Sequence, residues 1–336
     1  MMISILSVLL ALFMPLAFGK AAWDLTPNRF TQNDYGNIMG ENIEGNPRVV
    51  DIAMLGAHNA FSTGINARSS LDPNSRDMEF LRDNPWTMMF GNGLAARFAR
   101  TQKSSPYDLA RRGVRFFDVR ATFIDGEWYA AHGLVAAPLA DCLGDLIRFM
   151  DETEGEVLVI SFHQSLGGYI DYLVDYALGV TRGGKALRDF VRYDMDAIPL
   201  GQLRYEDATG GGSGAVIACS WDVYGLWHDT NDPDALLRDI GEWNEELKTY
   251  MGWRANYLRW NQAQLTAQWG WPALLRAAPD WSLLAMAHRL NHRLLGDLPA
   301  WLPQMPILSV DYADDMNCGF NDRAIEIINE YNRELG

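Results

Sequence analysis

Short apolar runs recur along the chain, and each ends on polar or titratable side chains. "RVVDIAML" passes into "GAHN", "VRFFDV" into Arg120, "WYAA" into His132, "VLVISF" into His163, "AVIAC" into Ser220 and Trp221, and "PILSV" into Asp311. Runs of this length, rich in β-branched and aromatic residues, read as buried strands. The pattern predicts strands over Val49–Leu55, Val114–Val119, Trp128–Ala131, Val157–Phe162, Ala215–Cys219, Tyr257–Trp260 and Pro306–Val310. Between them, "PLADCLGDLIRFMDET", "YIDYLVDYALGV", "DPDALLRDIGEWNEELKTYM", "WPALLRAA" and "SLLAMAHRLNHRLL" carry helical apolar spacing. A last helix, "DRAIEIINEYNREL", follows Asn321, which suits an N-cap. Such alternation predicts a parallel, barrel-type α/β fold. In barrels of this kind catalytic side chains stand at the C-terminal ends of the strands, so the polar endings are expected on one rim.

Composition changes this picture at a few points. At 336 residues and 48% hydrophobic, the chain has room for one α/β barrel or two smaller domains. The net charge of -15 repels phosphate backbones and makes nucleic acid a poor candidate partner, while leaving transient contact with a lipid surface open. Residues Met1–Gly19 form an apolar run broken by Pro15, with Ala17 and Gly19 where a signal peptidase would cut before Lys20. The expectation is a secreted or extracytoplasmic chain, with an uncleaved N-terminal anchor as the alternative. No later segment reads as membrane-spanning. Cys142, Cys219 and Cys318 lack CxxC spacing, so a structural zinc site is not expected and one disulfide is the maximum. "ATGGGSGAV" lacks the Gly-Lys-Ser/Thr ending of a phosphate loop and reads as a turn entering a strand. The segment between Ser62 and Tyr107 carries "WTMMF", with Trp86, Met88, Met89 and Phe90, read first as packing against the barrel and second as a lipid-touching lid. No obligate protein partner is evident.

If the strand ends converge, one rim holds His58, Asn59, Asp118, Arg120, His132, His163 and Asp311. Two imidazoles suit phosphodiester cleavage, because one can accept the proton of an attacking hydroxyl while the other donates to the leaving oxygen. A guanidinium can hold two non-bridging oxygens through parallel hydrogen bonds. A carboxylate can fix the tautomer of the base imidazole. Taken singly, each residue is equally an ordinary rim residue. Asp118 and Arg120 share a strand face and could be a structural ion pair, and Asp311 could cap a turn. His228, His288 and His292 are assigned to surface or helix packing. Spacing alone points to a phosphate-handling hydrolase or lyase.

Four blocks, "MLGAHNAFS", "RTQKSSPYDLARRGVRFFDVRA", "WYAAHG" and "ILSVDYA", add a resemblance. In combination they make the chain similar to the X-domain family of phosphatidylinositol-specific phospholipases C, closest in pattern to the single-domain bacterial type. The similarity covers about Val49 to Ala313, with an insertion over about 63–96. It implies one distorted TIM-barrel domain over residues 20–336. It also implies an exported phosphodiesterase or lyase acting on phosphatidylinositol or a similar phospholipid, releasing diacylglycerol and a cyclic phosphorylated head group. Carried over by position, His58 is the base, Asp311 orients it, Arg120 holds the phosphate, His132 is the acid, and Asp118 supports Arg120 and His132. Arg120 stands where eukaryotic members carry a calcium ligand, and calcium takes six to eight oxygens, so neither metal nor other cofactor is expected. The sequence departs from the bacterial pattern at Asn59, where Asp is commoner, at His163, in place of a lysine, and at Ser220–Trp221, in place of basic residues. Asn59, His163, Trp221 and Gln262, with Asn261 beside it, are the candidate substrate-binding residues. Two alternatives are a non-catalytic lipid or glycan-phosphate binding barrel and a metal-dependent glycerophosphodiesterase-like enzyme. The latter lacks sufficient acidic ligands at the strand ends.

Overall fold

The apolar runs do pair side by side. A computed structural model describes residues 33–75, 93, 95–266, 282–314 and 319–335. The apolar run Met1–Gly19, the "WTMMF" segment, "WPALLRAA" and Cys318 lie outside the described residues. The strands, in chain order, are β1 (Met54–Ala57), β2 (Val114–Ile124), β3 (Glu127–His132), β4 (Leu134–Pro138) and β5 (Val157–Leu166). There follow β6 (Thr181–Arg182), β7 (Lys185–Ala186), β8 (Gly214–Cys219), β9 (Val223–Tyr224), β10 (Leu258–Gln262) and β11 (Ile307–Val310). A parallel arc runs in the order β9, β10, β11, β1, β2, β5, β8. Strands β8 and β9 are separated by the 3-10 turn Ser220–Asp222. The chain itself thus joins the two ends of the arc, β8 pairing with β5 and β9 with β10. The result is a distorted α/β barrel. Its interior is packed with aromatic side chains, with Phe116 of β2 and Trp260 of β10 at 5.2 Å between ring centroids. Burial of both strand faces explains why the runs were continuously apolar rather than alternating.

The helices Leu139–Glu152, Ile170–Gly179, Pro233–Thr249 and Leu283–Leu294 form where the apolar spacing placed them. Three expectations need correction. Val49–Leu55 is not one strand: Val49–Asp51 forms a 3-10 turn and β1 starts at Met54. The turn is tied down by Asp51, whose carboxylate accepts from Arg48 Nε at 2.7 Å and from Arg259 Nη2 at 2.9 Å. Asn321 is not an N-cap, because the last helix spans Phe320–Arg333 with Gly319 before it at φ 67°. The Asn321 side chain instead donates to the carbonyls of Ala313 and Arg112, at 3.0 and 3.1 Å.

The third correction bears on the site. Trp128–Ala131 lies within β3, which is not a parallel barrel strand but pairs antiparallel with the far half of β2, Ala121–Ile124. Asp125 and Gly126, at φ 51° and 91°, form the turn. Positive φ at both central residues is the type I′ geometry that matches strand twist, and Asp-Gly is a preferred pair for it. The hairpin sends the chain back toward the rim and delivers His132 there, from beside the barrel rather than from its wall. Gly56 in β1 also serves the geometry. A Cβ on Gly56 would lie 3.0 Å from Ser309 Cβ and 3.1 Å from Phe116 Cδ1, so glycine lets the barrel narrow just below His58. Cys142 and Cys219 are buried free thiols.

Candidate active site

The last ladder pair between β1 and β11 is Ala57 with Val310, and the next residue on each strand is His58 and Asp311. Register alone therefore sets these two side chains next to each other. His58 Nδ1 lies 2.7 Å from Asp311 Oδ1, with both residues buried. The other ring nitrogen, Nε2, lies 3.2 Å from Arg120 Nη2. A guanidinium can only donate, so Nε2 carries the lone pair and Nδ1 the hydrogen that Asp311 accepts. Asn59 Nδ2, also 3.2 Å from Nε2, adds a second donor to the same atom. The imidazole is held in the tautomer that a base needs.

Asp118 and Arg120 both belong to β2. Asp118 is fully buried, its Oδ2 accepting from the backbone N–H of Asn59 at 3.1 Å and lying 3.6 Å from Arg120 Nη2. Burial alone would raise this carboxyl, but Arg120 above all, then His58, His163 and the Asn59 amide, outweigh it and hold it below its ordinary range. The residue stays ionised and anchors the guanidinium. Asn59 adopts φ 43°, a left-handed conformation that Asn tolerates better than most residues. This turn lets its N–H and its amide reach Asp118 and His58 together.

His132 ends β3 with its Nδ1 2.8 Å from the carbonyl of Ala99. A carbonyl only accepts, so Nδ1 bears the hydrogen and Nε2 is left to exchange a proton. The rings of His58 and His132 are 5.8 Å apart and nearly perpendicular, at 80°. Burial, then the Arg120 guanidinium and the neighbouring His58 ring, push the His132 imidazole down to about 3, against the Ala99 carbonyl and Asp118. At neutral pH it is therefore neutral.

The candidate recognition residues spread further. His163 lies inside β5 rather than after it, its ring edge-on to Trp260 at 5.2 Å, and burial is the main cause of its lowered pKa. Gln262 ends β10, buried, and its Oε1 accepts from Gln264 Nε2 at 3.3 Å. Asn261 faces Asn244, whose Nδ2 donates to its Oδ1 at 3.2 Å. Trp221 sits in the turn after β8 and is 58% exposed. Among the described residues, Asn59 Oδ1, Asp118 Oδ1, Arg120 Nε and His163 Nδ1 are buried without a protein partner. A group of polar atoms left unpaired at one rim suits a polar ligand better than an apolar one. Three supporting residues were missed by the sequence reasoning. Asn291 Nδ2 donates to the Asp311 carbonyl at 2.9 Å. Thr101 Oγ1 and Gln102 Nε2 donate to the His58 carbonyl at 2.8 and 2.9 Å. Thr101 and Gln102 sit in the quoted block "RTQKSS", so their position was visible though their role was not.

No protein-family model matches the chain. Among curated proteins it is 25% identical, over 128 residues, to a PI-PLC X-box domain-containing protein of Dictyostelium discoideum, covering 38% of this chain and 15% of that protein. It is 26% identical, over 141 residues, to PI-PLC X domain-containing protein 3 of Danio rerio, covering 40% of this chain and 42% of that one. The matched stretch thus spans less than half of either relative. Among solved structures, a mutant of the phosphatidylinositol-specific phospholipase C from Staphylococcus aureus aligns with TM-score 0.63 and 15% identity, over 88% of this chain and 97% of that one. The phosphatidylinositol-specific phospholipase C from Listeria monocytogenes aligns with TM-score 0.59 and 12% identity, over 89% and 98%. The barrel is the fold of these bacterial proteins, and the resemblance read from the four sequence blocks recurs in the names of the curated relatives.

The electrostatics of His132 give a direct expectation. A group held below its ordinary value is protonated only once the pH falls to that lowered value, so His132 should remain neutral from pH 7 down to pH 5. Long-range nitrogen–proton NMR of the free protein checks this, and a His132 titration centred near 6.5 would contradict the arrangement described.

Proposed function

We propose that the chain is a phosphodiesterase that cleaves the glycerol–phosphate bond of phosphatidylinositol or a similar phospholipid through His58 and His132. The carrying observation is that the His58 Nε2 lone pair, Arg120 Nη2 and the His132 ring share one rim, with Nε2 to Nη2 at 3.2 Å and the rings 5.8 Å apart. A head-group hydroxyl next to the phosphate passes its proton to His58 Nε2 as its oxygen attacks phosphorus. Asp311 stabilises the imidazolium that forms. Arg120 balances the charge gathering on the non-bridging oxygens. The bond to the glycerol oxygen breaks, and that oxygen takes a proton from His132 Nε2. The products are diacylglycerol and a cyclic phosphate ester.

A neutral His132 cannot give that proton, and a bound substrate works against its neutrality. The phosphodiester anion offsets the positive charge of Arg120, which after burial is the next cause that depresses His132, so binding moves its pKa upward and favours uptake of the proton it must give. Asn59 gives less help than a carboxylate would. We read the chemistry as metal-independent. Calcium takes six to eight oxygens, whereas here Arg120 lies 3.6 Å from the carboxylate that such an ion would need, and Asp311 is committed to His58. The guanidinium supplies the positive charge instead. Contact with a lipid surface is supported by the large side chains beyond the C-terminal strand ends. Tyr169 and Tyr172 follow β5, Trp221 follows β8, and Leu226 and Trp227 follow β9; all five are exposed. With a net charge of -15, such contact relies on apolar insertion rather than on attraction to anionic lipid.

Two outcomes are expected. The protein should release a water-soluble phosphate ester from phosphatidylinositol in EDTA, and His58→Ala or His132→Ala should lower kcat by roughly 10²–10⁴-fold. Binding to lipid without turnover would instead favour the non-catalytic barrel, and loss of activity on chelation the metal-dependent one. Replacing both Tyr169 and Trp227 by Ser should weaken partitioning to phosphatidylcholine vesicles by about tenfold or more, the scale of one buried aromatic side chain, with little dependence on salt. Unchanged sedimentation with vesicles would rule that contact out.

A further inference from the structure

The ladder between β1 and β11 stops at Ala57 and Val310, one residue short of the two side chains that must meet. Beyond that point the strands leave the sheet through left-handed residues, Asn59 at φ 43° and Tyr312 at φ 51°. The His58 N–H still donates to the Val310 carbonyl at 3.1 Å, but the His58 carbonyl beyond it needs partners from outside the ladder, and a buried carbonyl left unpaired is costly. Thr101 and Gln102 supply the partners. The Gln102 side chain, fully buried, uses its Nε2 for two bonds, to the His58 carbonyl at 2.9 Å and to the Val310 carbonyl at 3.0 Å. Its Oε1 accepts from the Ala313 N–H at 3.0 Å. One planar amide therefore grips β1 on one side and the exit of β11 on both flanks of Asp311. Thr101 reinforces it: its Oγ1 donates to the His58 carbonyl at 2.8 Å, and its own carbonyl accepts from the Tyr312 N–H at 2.7 Å.

We infer that Gln102 is a positioning residue that continues the β1–β11 pairing past the end of the ladder and sets the contact between His58 and Asp311. The inference rests on the proposed roles of those two residues. No other side chain among the described residues hydrogen-bonds the backbone of both the His58 and Asp311 exits through one amide group. Gln102 touches neither ring, so its effect passes through the backbone of the residues it holds. A displacement of the base by about 1 Å is enough to cost on the order of 10²-fold in rate. Substrate affinity, set by Arg120 and the rim, should change far less.

Gln102→Glu tests this with almost no change of shape, since a carboxylate cannot donate to either carbonyl. The expected result is a kcat on phosphatidylinositol lower by about 10²-fold with KM within about threefold. The downfield His58 Nδ1–H proton signal, a marker of the short bond to Asp311, should move upfield or vanish in exchange with water. Wild-type kcat together with an unchanged His58 signal would overturn the inference. If Gln102→Glu does not fold, Thr101→Val decides with the same two readouts. It removes one donor to the His58 carbonyl and should lower kcat by about tenfold and shift the signal, whereas wild-type values would overturn the inference. The NMR signal needs no turnover. Should the wild-type protein fail to cleave phosphatidylinositol, the proposed function falls while the positioning role is still read from the His58 proton.

Discussion

The short contact between His58 Nδ1 and Asp311 Oδ1, 2.7 Å long and buried where two adjacent parallel strands end, organises everything around it. It exists because β1 and β11 pair in a register that places Ala57 against Val310. It fixes the hydrogen on one ring nitrogen and leaves the other facing Arg120. A one-residue slip of either strand would turn one of the two side chains away from the rim. The packing beneath resists such a slip, since only a glycine fits at position 56, where a β-carbon would stand 3.0 Å from Ser309 Cβ and 3.1 Å from Phe116 Cδ1.

The charges are balanced by proximity rather than by solvent. Arg120 sits between a buried carboxylate at 3.6 Å and a histidine nitrogen at 3.2 Å, so its charge keeps Asp118 ionised and also suppresses protonation of His132. The same cation thus anchors the acidic residue and keeps the second histidine neutral, and in the proposed reaction it also faces the phosphate. In that reaction an anionic substrate beside Arg120 weakens its hold on His132. That links binding to the readiness of the acid.

Much of this was legible in the sequence because burial leaves a strong mark. A strand covered on both faces must be apolar throughout, so the polar residue that ends it stands out, and His58, Arg120 and Asp311 were visible for that reason. Where local chemistry competes with that mark, reading was harder. "FIDGEW" held the Asp-Gly signal of a tight hairpin, yet Trp128–Ala131 looked like one more barrel strand, because its partner lies on the far half of β2. Asn321 resembled a helix cap, but its amide bridges the nearby Ala313 carbonyl to that of Arg112, 209 residues away, which no local pattern encodes. Gln102 is the sharpest case. Its importance comes from three backbone groups some 40 to 210 residues away, at His58, Val310 and Ala313. The recognition shell was the least legible, since Trp221 points to the surface while His163 and Gln262 lie within their strands.

The central claim is that one phosphorus atom is approached from three sides at this rim. A crystal structure of the protein with glycerophosphoinositol bound to an inactive His132→Ala variant tests it most directly. The account requires the phosphate oxygens within hydrogen-bonding distance of the Arg120 guanidinium, the attacking hydroxyl beside His58 Nε2, and the glycerol oxygen facing the space the missing imidazole would fill. A phosphate seated away from Arg120, or turned so that no hydroxyl reaches His58, would contradict it.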